Sequence, residues 1–250
     1  MAETGHAKNV ANFETLIITC TGYGTLYNPT KSSISLIQLN KKYNAGADSL
    51  TKINTMLPPW QNDIGARDII FSPLSKLITR VSNAVAASDV TPQFIKDVRT
   101  ITRKLQGKRA TPKIPVVPTP PTPPTPPSTD TLDTILKSIS ASQMSFDNRT
   151  LNMDKLNQLL ASNPNYIPNE TDLTVAVLTT LQTDMVTSNT AVKTDYTPLS
   201  NSRIDRDSIL YDPTTGLVER AGEVKKYIKS VFGGTSPQYK QVSGLEFRYP

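Results

Sequence analysis

Six basic residues near the end of the first half of the chain have the types and spacing to contact phosphate groups. They are Lys96, Arg99, Arg103, Lys104, Lys108 and Arg109. In a helix, Arg99 and Arg103 lie one turn apart, and Lys96 joins the same face. A basic helix end followed by a basic tail can bind nucleic acid through its phosphates. The alternative is a solvated face whose cations suit a helix C-terminus, because no helix-turn-helix, zinc-finger or aromatic-basic motif accompanies them.

The other reactive residues exclude most catalytic and metal chemistry. The chain has one cysteine, Cys20, and one histidine, His6. They cannot supply an intrachain disulfide or a Cys/His zinc site, and a catalytic pair would have to use His6. Cys20 lies in an apolar helix pattern and is predicted to be a small buried residue, whereas His6 is predicted to lie in a mobile N-terminal segment. We therefore predict a protein that is not an enzyme, with no catalytic residues, cofactor or metal site.

Two charged clusters are predicted to be structural. Their members are Arg67 and Asp68 in the first half and Arg203, Asp205, Arg206 and Asp207 in the second. No histidine, group of metal ligands or glycine-rich phosphate loop lies nearby to give these carboxylates a catalytic mechanism. Their recurrence in both halves suggests a shared task, such as tying a helix to its bundle.

A proline-rich stretch at residues 111–128, TPKIPVVPTPPTPPTPPS, separates the two halves. Proline fixes φ and removes a backbone donor, so the repeated Pro-Pro-Thr favours an extended polyproline II linker. At about 3.1 Å per residue, such a linker would reach at most roughly 55 Å. The motif also resembles ligands of the aromatic grooves that recognise polyproline II, but a spacer is the simpler interpretation.

The two halves resemble each other in four blocks that occur in the same order. The blocks pair residues 13–20 with 132–139, 27–28 with 146–147, 67–80 with 206–220, and 91–94 with 236–239. The distance along the chain between paired blocks grows from the first pair to the last, so the second copy would be longer in its middle. The sequence thus predicts a tandem duplication, with a first bundle at residues 1–110, a linker at 111–128 and a second bundle at 129–250.

Apolar residues recur with the 3.6-residue period of helices, and few stretches alternate with period two. The prediction is an all-α fold with two related helical bundles of four to five helices each. In the first half, Gly46 is expected to break or bend the second helix and Pro58-Pro59 to stop it, which leaves Trp60 at a corner. Typical helix starts, with a capping residue before proline, occur at Ser72-Pro73, Thr91-Pro92, Asp212-Pro213 and Ser236-Pro237.

Charge is unevenly distributed along the 250 residues, whose net charge is +6. Residues 1–110 carry fourteen Lys or Arg against seven Asp or Glu, whereas residues 130–250 carry twelve against fourteen. No stretch approaches the roughly 18 apolar residues of a membrane span, and the N-terminus lacks a secretory signal pattern. The expected location is the cytoplasm, or export without a classical signal peptide.

Three stretches form a recognisable pattern, namely KKYIKSVFG at residues 225–233, SPQYKQVS at 236–243 and GHAKNVANF at 5–13. This pattern resembles one that recurs in uncharacterised duplicated all-helical proteins of Bacteroidota. It covers both copies, with the proline-rich linker as the variable part. It implies a bacterial origin and a tandem architecture, and no activity or site.

The predicted duplication, the stiff linker and the lack of residues that could form a catalytic pair favour a non-enzymatic interaction or structural protein. Two related surfaces held apart would permit bivalent binding or assembly, so a protein partner or self-association is expected. Nucleic-acid binding through the basic first bundle is the first alternative. A membrane-active bacterial effector that opens its bundles to expose apolar helix faces is the second.

Overall fold

A computed structural model describes residues 3–108 and 144–250. These residues contain helices and no strand, so the all-α class is confirmed. Numbered along the described residues, the α-helices are α1 (Glu3–Gly22), α2 (Leu36–Phe71), α3 (Leu74–Ala86), α4 (Pro92–Leu105), α5 (Phe146–Ala161), α6 (Val175–Tyr211), α7 (Leu217–Phe232) and α8 (Pro237–Ser243). Short 3-10 helices lie at Gly24–Leu26, Ser32–Ile34 and Thr171–Leu173. The predicted linker at 111–128 and the predicted helix at 132–139 lie outside the described residues.

Two compact units divide the chain, and each takes residues from both halves of the sequence. The first unit consists of Met1–Gln61 with Thr194–Pro250, and the second of Asn62–Lys193. The division falls inside α2 and inside α6. The units therefore differ from the predicted bundles at 1–110 and 129–250. The physical reason is that an amphipathic pattern identifies the buried face of a helix but not the helix that covers it.

The first unit has an apolar core that joins α1 to α7. Its fully or nearly fully buried members from these two helices include Phe13, Leu16, Ile17 and Cys20 in α1 and Leu217, Val224 and Ile228 in α7. The i, i+3, i+4, i+7 spacing of the α1 residues places them on one face, as predicted. Burial raises the pKa of the Cys20 thiol to about 12, so the thiol stays protonated and acts as a small core residue.

The second unit has a separate core formed by α3, α4 and α5. The buried side chains of these helices include Leu74, Ile78, Val81 and Val85 in α3, Phe94, Val98 and Leu105 in α4, and Met153, Leu156 and Leu160 in α5. α4 begins as predicted: Thr91 Oγ1 accepts a hydrogen bond from Phe94 N at 3.2 Å, and Pro92 occupies the first helical position. Ser236 caps α8 of the first unit in the same way.

From Tyr27 to the end of α2, buried residues and hydrogen bonds of one unit recur at a fixed distance along the chain in the other. The Tyr27 hydroxyl donates to the Ile34 carbonyl oxygen at 2.7 Å, and the Tyr166 hydroxyl donates to that of Leu173 at 2.8 Å. The offset in residue number that aligns Tyr27 with Tyr166 also aligns α2 with α6. We call this alignment the α2–α6 register. It pairs the buried or in-helix residues Leu39 and Leu178, Ser49 and Ser188, Ile53 and Val192, and Pro59 and Pro198.

The helices that precede Tyr27 and Tyr166, α1 and α5, match when the shift along the chain is one position longer. Four buried residues of α1, namely Val10, Phe13, Leu16 and Cys20, then correspond to buried Thr150, Met153, Leu156 and Leu160 of α5. We call this alignment the α1–α5 register. In the α2–α6 register Tyr27 corresponds to Tyr166 rather than to Phe146, so the buried residues do not follow the predicted pairing of residues 27–28 with 146–147. α2 and α6 have 36 and 37 residues, so the longer middle predicted for the second half is not found in the described helices.

α2 continues through Gly46, Pro58 and Pro59, which were predicted to interrupt it. Pro58 and Pro59 lie inside the helix rather than at its end, so Trp60 is not at a corner. The helix survives because both prolines are exposed, and the carbonyl groups that lose a donor belong to exposed Asn54 and Thr55, where water can bind them. None of the described helices combines the length and apolar composition that a membrane crossing needs.

Gly46 permits close packing in α2 instead of breaking the helix. A Cβ atom at this position would lie 3.3 Å from Leu217 Cδ1 and 3.4 Å from both Leu210 Cδ2 and Val10 Cγ2. All of these residues belong to the first unit. The missing side chain thus lets the α2 backbone approach the core closely.

Candidate functional site

The predicted basic residues lie on the exposed side of α4 in the second unit. Phe94, Val98, Thr102 and Leu105 bury the opposite side of the helix. Lys96, Arg99 and Lys104 are exposed, and Lys108 is exposed just beyond the helix. Arg103 is half-buried, with its Nη2 3.4 Å from Thr100 Oγ1. Arg109 lies outside the described residues.

The exposed cations of α4 are not neutralised by neighbouring acids. Within the described part of the chain, Lys96, Arg99 and Lys104 form no ion pair with a carboxylate. The nearby carboxylate of Asp97 accepts a hydrogen bond from Gln93 Nε2 at 2.8 Å instead. The face can therefore attract phosphate groups, and it also suits the negative end of the helix dipole.

The recurring arginines of the two charged clusters make structural contacts. In the second unit, the Arg67 guanidinium lies 3.8 Å from the centre of the Phe146 ring. In the first unit, Arg206 is only 5% exposed, and its Nη2 lies 2.8 Å from Asp207 Oδ1. Arg67 and Arg206 correspond in the α2–α6 register and lie near the ends of α2 and α6. The structural role of the two clusters stays a prediction.

His6 is buried in α1, so its predicted position in a mobile segment is wrong. The imidazole is 2% exposed, and its Nδ1 lies 2.7 Å from the Tyr211 hydroxyl. Asn9 donates to the same hydroxyl at 3.2 Å and to the Arg248 carbonyl oxygen at 2.7 Å. These bonds hold the C-terminal residues of the chain against α1. The sequence reading missed this role because the partners lie at opposite ends of the chain.

A groove of about 690 Å³ follows one exposed face of α2 in the first unit. Its lining residues are Leu36, Ile37, Asn40, Lys41, Asn44, Ala45 and Asp48. Ile37 is 80% exposed, whereas Leu39 on the opposite face is fully buried. The spacing of Ile37, Lys41, Asn44 and Asp48 is helical, so these side chains form one stripe, which we call the α2 stripe.

A smaller pocket of about 330 Å³ lies between α5 and α6 in the second unit. It is lined by Asp147, Thr150, Leu151, Asp154, Gln182, Val186, Asn189, Thr190 and Lys193. We call it the α5–α6 pocket. Sequence reasoning missed it because its two buried polar residues, Thr150 and Asn189, are far apart in the chain. The sequence does contain a signal for this pocket. Thr150 and Asn189 are polar, whereas the residues that correspond to them in the first unit, Val10 and Leu50, are apolar.

The described residues contain no group of three or more histidine, cysteine, aspartate or glutamate side chains arranged to hold a metal ion. The surface features described above are a basic helix face, a partly apolar stripe and a polar pocket. Comparison with known proteins adds no family, because no family model, curated protein or solved structure matches this chain.

Proposed function

We propose that this chain is a non-enzymatic interaction protein built by internal duplication, and that the α2 stripe is its contact surface for a protein partner. The exposure of Ile37 within the α2 groove is the observation that carries the proposal. The common register of corresponding buried residues and tyrosine hydrogen bonds supports the duplication. Equivalent helices built into two units provide a rigid support for surface residues that are free to vary.

The composition of the α2 stripe suits binding rather than catalysis. The side chains along its groove are alkyl groups, two amides, one lysine and one aspartate, and they offer no nucleophile paired with a base. An exposed isoleucine beside amide and charged groups is typical of the mixed apolar and polar surface of a protein interface.

The corresponding face of α6 has a different character. Its residues are Ala176, Thr180, Thr183 and Thr187, at the positions of Ile37, Lys41, Asn44 and Asp48. The hydroxyl groups of Thr180, Thr183 and Thr187 donate to the carbonyl oxygens one helical turn earlier. The α6 face therefore presents mainly methyl groups and no charge, so the two units offer different surfaces to a partner.

Replacement of Ile37 by aspartate is expected to weaken partner binding or self-association at least ten-fold. The carboxylate would stay solvated in the free protein and would be costly to desolvate in an interface. The measurements are light scattering of the purified chain across a range of concentrations and partner retention from the native source. Ala176→Asp, at the corresponding position on α6, is the matched control and should have no effect. Equal retention or self-association by wild type and Ile37→Asp would contradict the proposal.

Nucleic-acid binding by α4 is the second candidate, favoured by the unpaired exposed cations Lys96, Arg99 and Lys104. Arg99→Glu is expected to reduce affinity for random single- or double-stranded DNA by roughly ten-fold and to lower the salt dependence. Fluorescence anisotropy at several salt concentrations would measure both effects. Lys226→Glu, which makes the same kind of charge change at a lysine of the first unit, is the control. If the two variants lose affinity equally, α4 is not the site.

A further inference from the structure

The two units are assembled from corresponding helices that come from opposite halves of the chain. The first unit joins α1 and the first part of α2 to the last part of α6, α7 and α8. The second unit joins α5 and the first part of α6 to the last part of α2, α3 and α4. Because α1 corresponds to α5 and α2 to α6, each half gives its first helix to one unit and its later helices to the other. The halves thus exchange helices in the way that the protomers of a domain-swapped dimer do.

Contacts between the halves close the first unit. Lys31 Nζ in the first half lies 2.5 Å from Glu223 Oε1 in the second half. The rings of Tyr27 and Tyr227 meet edge to face, with 5.3 Å between their centres. In addition, the buried faces of α1 and α7 belong to one apolar core. The apolar face of α1 is therefore covered by residues of the other half.

Contacts between the halves also close the second unit. Asn165 Nδ2 donates to the Asp89 carbonyl oxygen at 2.7 Å, and Arg149 Nη2 donates to that of Phe71 at 2.9 Å. Asp89 and Phe71 belong to the first half, and α3 and α4 share their apolar core with α5. None of these contacts requires that both halves belong to the same chain, because each of them joins described residues only.

We propose that this chain binds a second copy of itself by exchanging halves, so that the first half of each copy folds with the second half of the other. The exchanged dimer keeps every core and hydrogen bond described above and needs no additional interface. It differs from the single chain in whether the halves that fold together are tethered to each other. A tether acts as an effective concentration, which is on the order of 1 mM for a flexible connection, so exchange is expected at comparable chain concentrations. The exchange is independent of the α2 stripe, because it uses buried faces rather than exposed ones.

The test uses two full chains, each with the first unit damaged from a different half. Leu16→Asp places a charge in the core from α1, and Ile228→Asp does so from α7, since both residues are fully buried. The variants are unfolded in urea together and refolded at about 0.1 mM, where a regained core outweighs the roughly ten-fold loss of effective concentration. In an exchanged dimer, the unsubstituted first half of one variant folds with the unsubstituted second half of the other.

The refolded mixture should regain about half of the helical circular dichroism signal that the two variants lose when each is refolded separately. The reason is that one of the two first units in the exchanged dimer carries neither substitution. Light scattering should find the mass of two chains. A mixture of Leu16→Asp with Phe13→Asp is the matched control. Both of these substitutions bury a carboxylate in the same core but lie in the first half, so exchange cannot produce an unsubstituted first half and no signal should return. The proposal is overturned if the test mixture gains nothing over separate refolding, or if the control mixture gains as much.

A measurement on the unsubstituted chain keeps the outcome decisive if a single variant still folds. Refolding at about 1 mM should give dimers that are absent after refolding at about 1 µM, and light scattering would measure the mass of each. Ile37→Asp should refold to the same fraction of dimer, because the α2 stripe is not used. Absence of a dimer at the higher concentration would overturn the proposal. A dimer that Ile37→Asp abolishes would overturn it as well, since that dimer would be held by the α2 stripe.

Discussion

Residues 1–110 and 129–250, produced as separate chains, are expected to be unfolded alone and to form folded units when mixed. The reason is that each compact unit takes its core from both halves of the sequence. In the first unit, Phe13 and Leu16 from one half share a core with Val224 and Ile228 from the other. In the second unit, Ile78 and Val98 share a core with Leu156. A single half would expose side chains whose burial contributes about 1.5–3 kcal/mol each.

Circular dichroism and urea denaturation of each fragment and of the equimolar mixture would measure this effect. We expect a cooperative transition only for the mixture, with the full chain as the reference for complete folding. Light scattering would show the mixture as a one-to-one complex. It would also identify a fragment that folds by pairing with itself, which corresponding halves could do. A fragment that unfolds cooperatively as a monomer would show that residues 1–110 and 129–250 are autonomous bundles after all.

The local features of the fold were largely predictable from the sequence. Thr91-Pro92 and Ser236-Pro237 start helices, and the buried face of α1 follows from the spacing of its apolar residues. These features depend on residues within one or two turns of each other. Helix class and buried faces are encoded at that range. Two of the four predicted helix starts were wrong, because α3 begins after Pro73 and α7 after Gly216, each without a side-chain cap, rather than at Ser72-Pro73 and Asp212-Pro213.

The assembly of the units was not predictable by the same reasoning. The apolar face of α1 carries no information on whether α7 or a nearer helix will cover it. His6 illustrates this point, because its partner Tyr211 is invisible to any local pattern. Pro58 and Pro59 illustrate another, because the usual rule that proline ends a helix depends on whether the freed carbonyl groups can reach water.

The candidate sites also differ in whether they depend on residues that are close together or far apart in the chain. The basic face of α4 is formed by residues of one helix, and the sequence found its members Lys96, Arg99 and Lys104. The α5–α6 pocket joins Thr150 to Asn189, which are 39 residues apart. Its polar character stands out only when α5 is compared with α1 in the α1–α5 register. The pairing made from sequence placed residues 132–139 opposite residues 13–20 and so concealed the comparison.

Replacement of Gly216 by alanine is expected to destabilise the chain by about 2–3 kcal/mol. Gly216 precedes α7 and closes a turn in which its N donates to the Asp212 carbonyl oxygen at 2.8 Å. A Cβ atom at Gly216 would lie 2.5 Å from Asp212 O, 2.7 Å from Asp212 N and 2.9 Å from Leu210 O. These are backbone atoms, which cannot move aside as a flexible side chain would.

The turn around Gly216 has little freedom to relax. Asp212 Oδ1 accepts hydrogen bonds from the backbone N of Thr214 at 2.9 Å and of Thr215 at 2.7 Å, and from both threonine hydroxyl groups. Hydrogen bonds from the Thr214 side chain and then from the backbone hold the pKa of the Asp212 carboxyl far below its usual range. Leu217, which follows directly, is fully buried in the core of the first unit.

Gly222→Ala provides a matched control a short distance further along the chain. A Cβ atom at Gly222 would have no neighbour within 4 Å, and the position is in the interior of α7. Alanine there should stabilise the chain by up to about 1 kcal/mol, because it favours the helix over the unfolded state. Urea denaturation should therefore shift the two midpoints in opposite directions. Equal midpoints for the two variants would contradict the prediction. They would mean that the turn can widen around a Gly216→Ala side chain without loss of stability, so that the close approach of Gly216 to Asp212 is not needed to place Leu217 in the core.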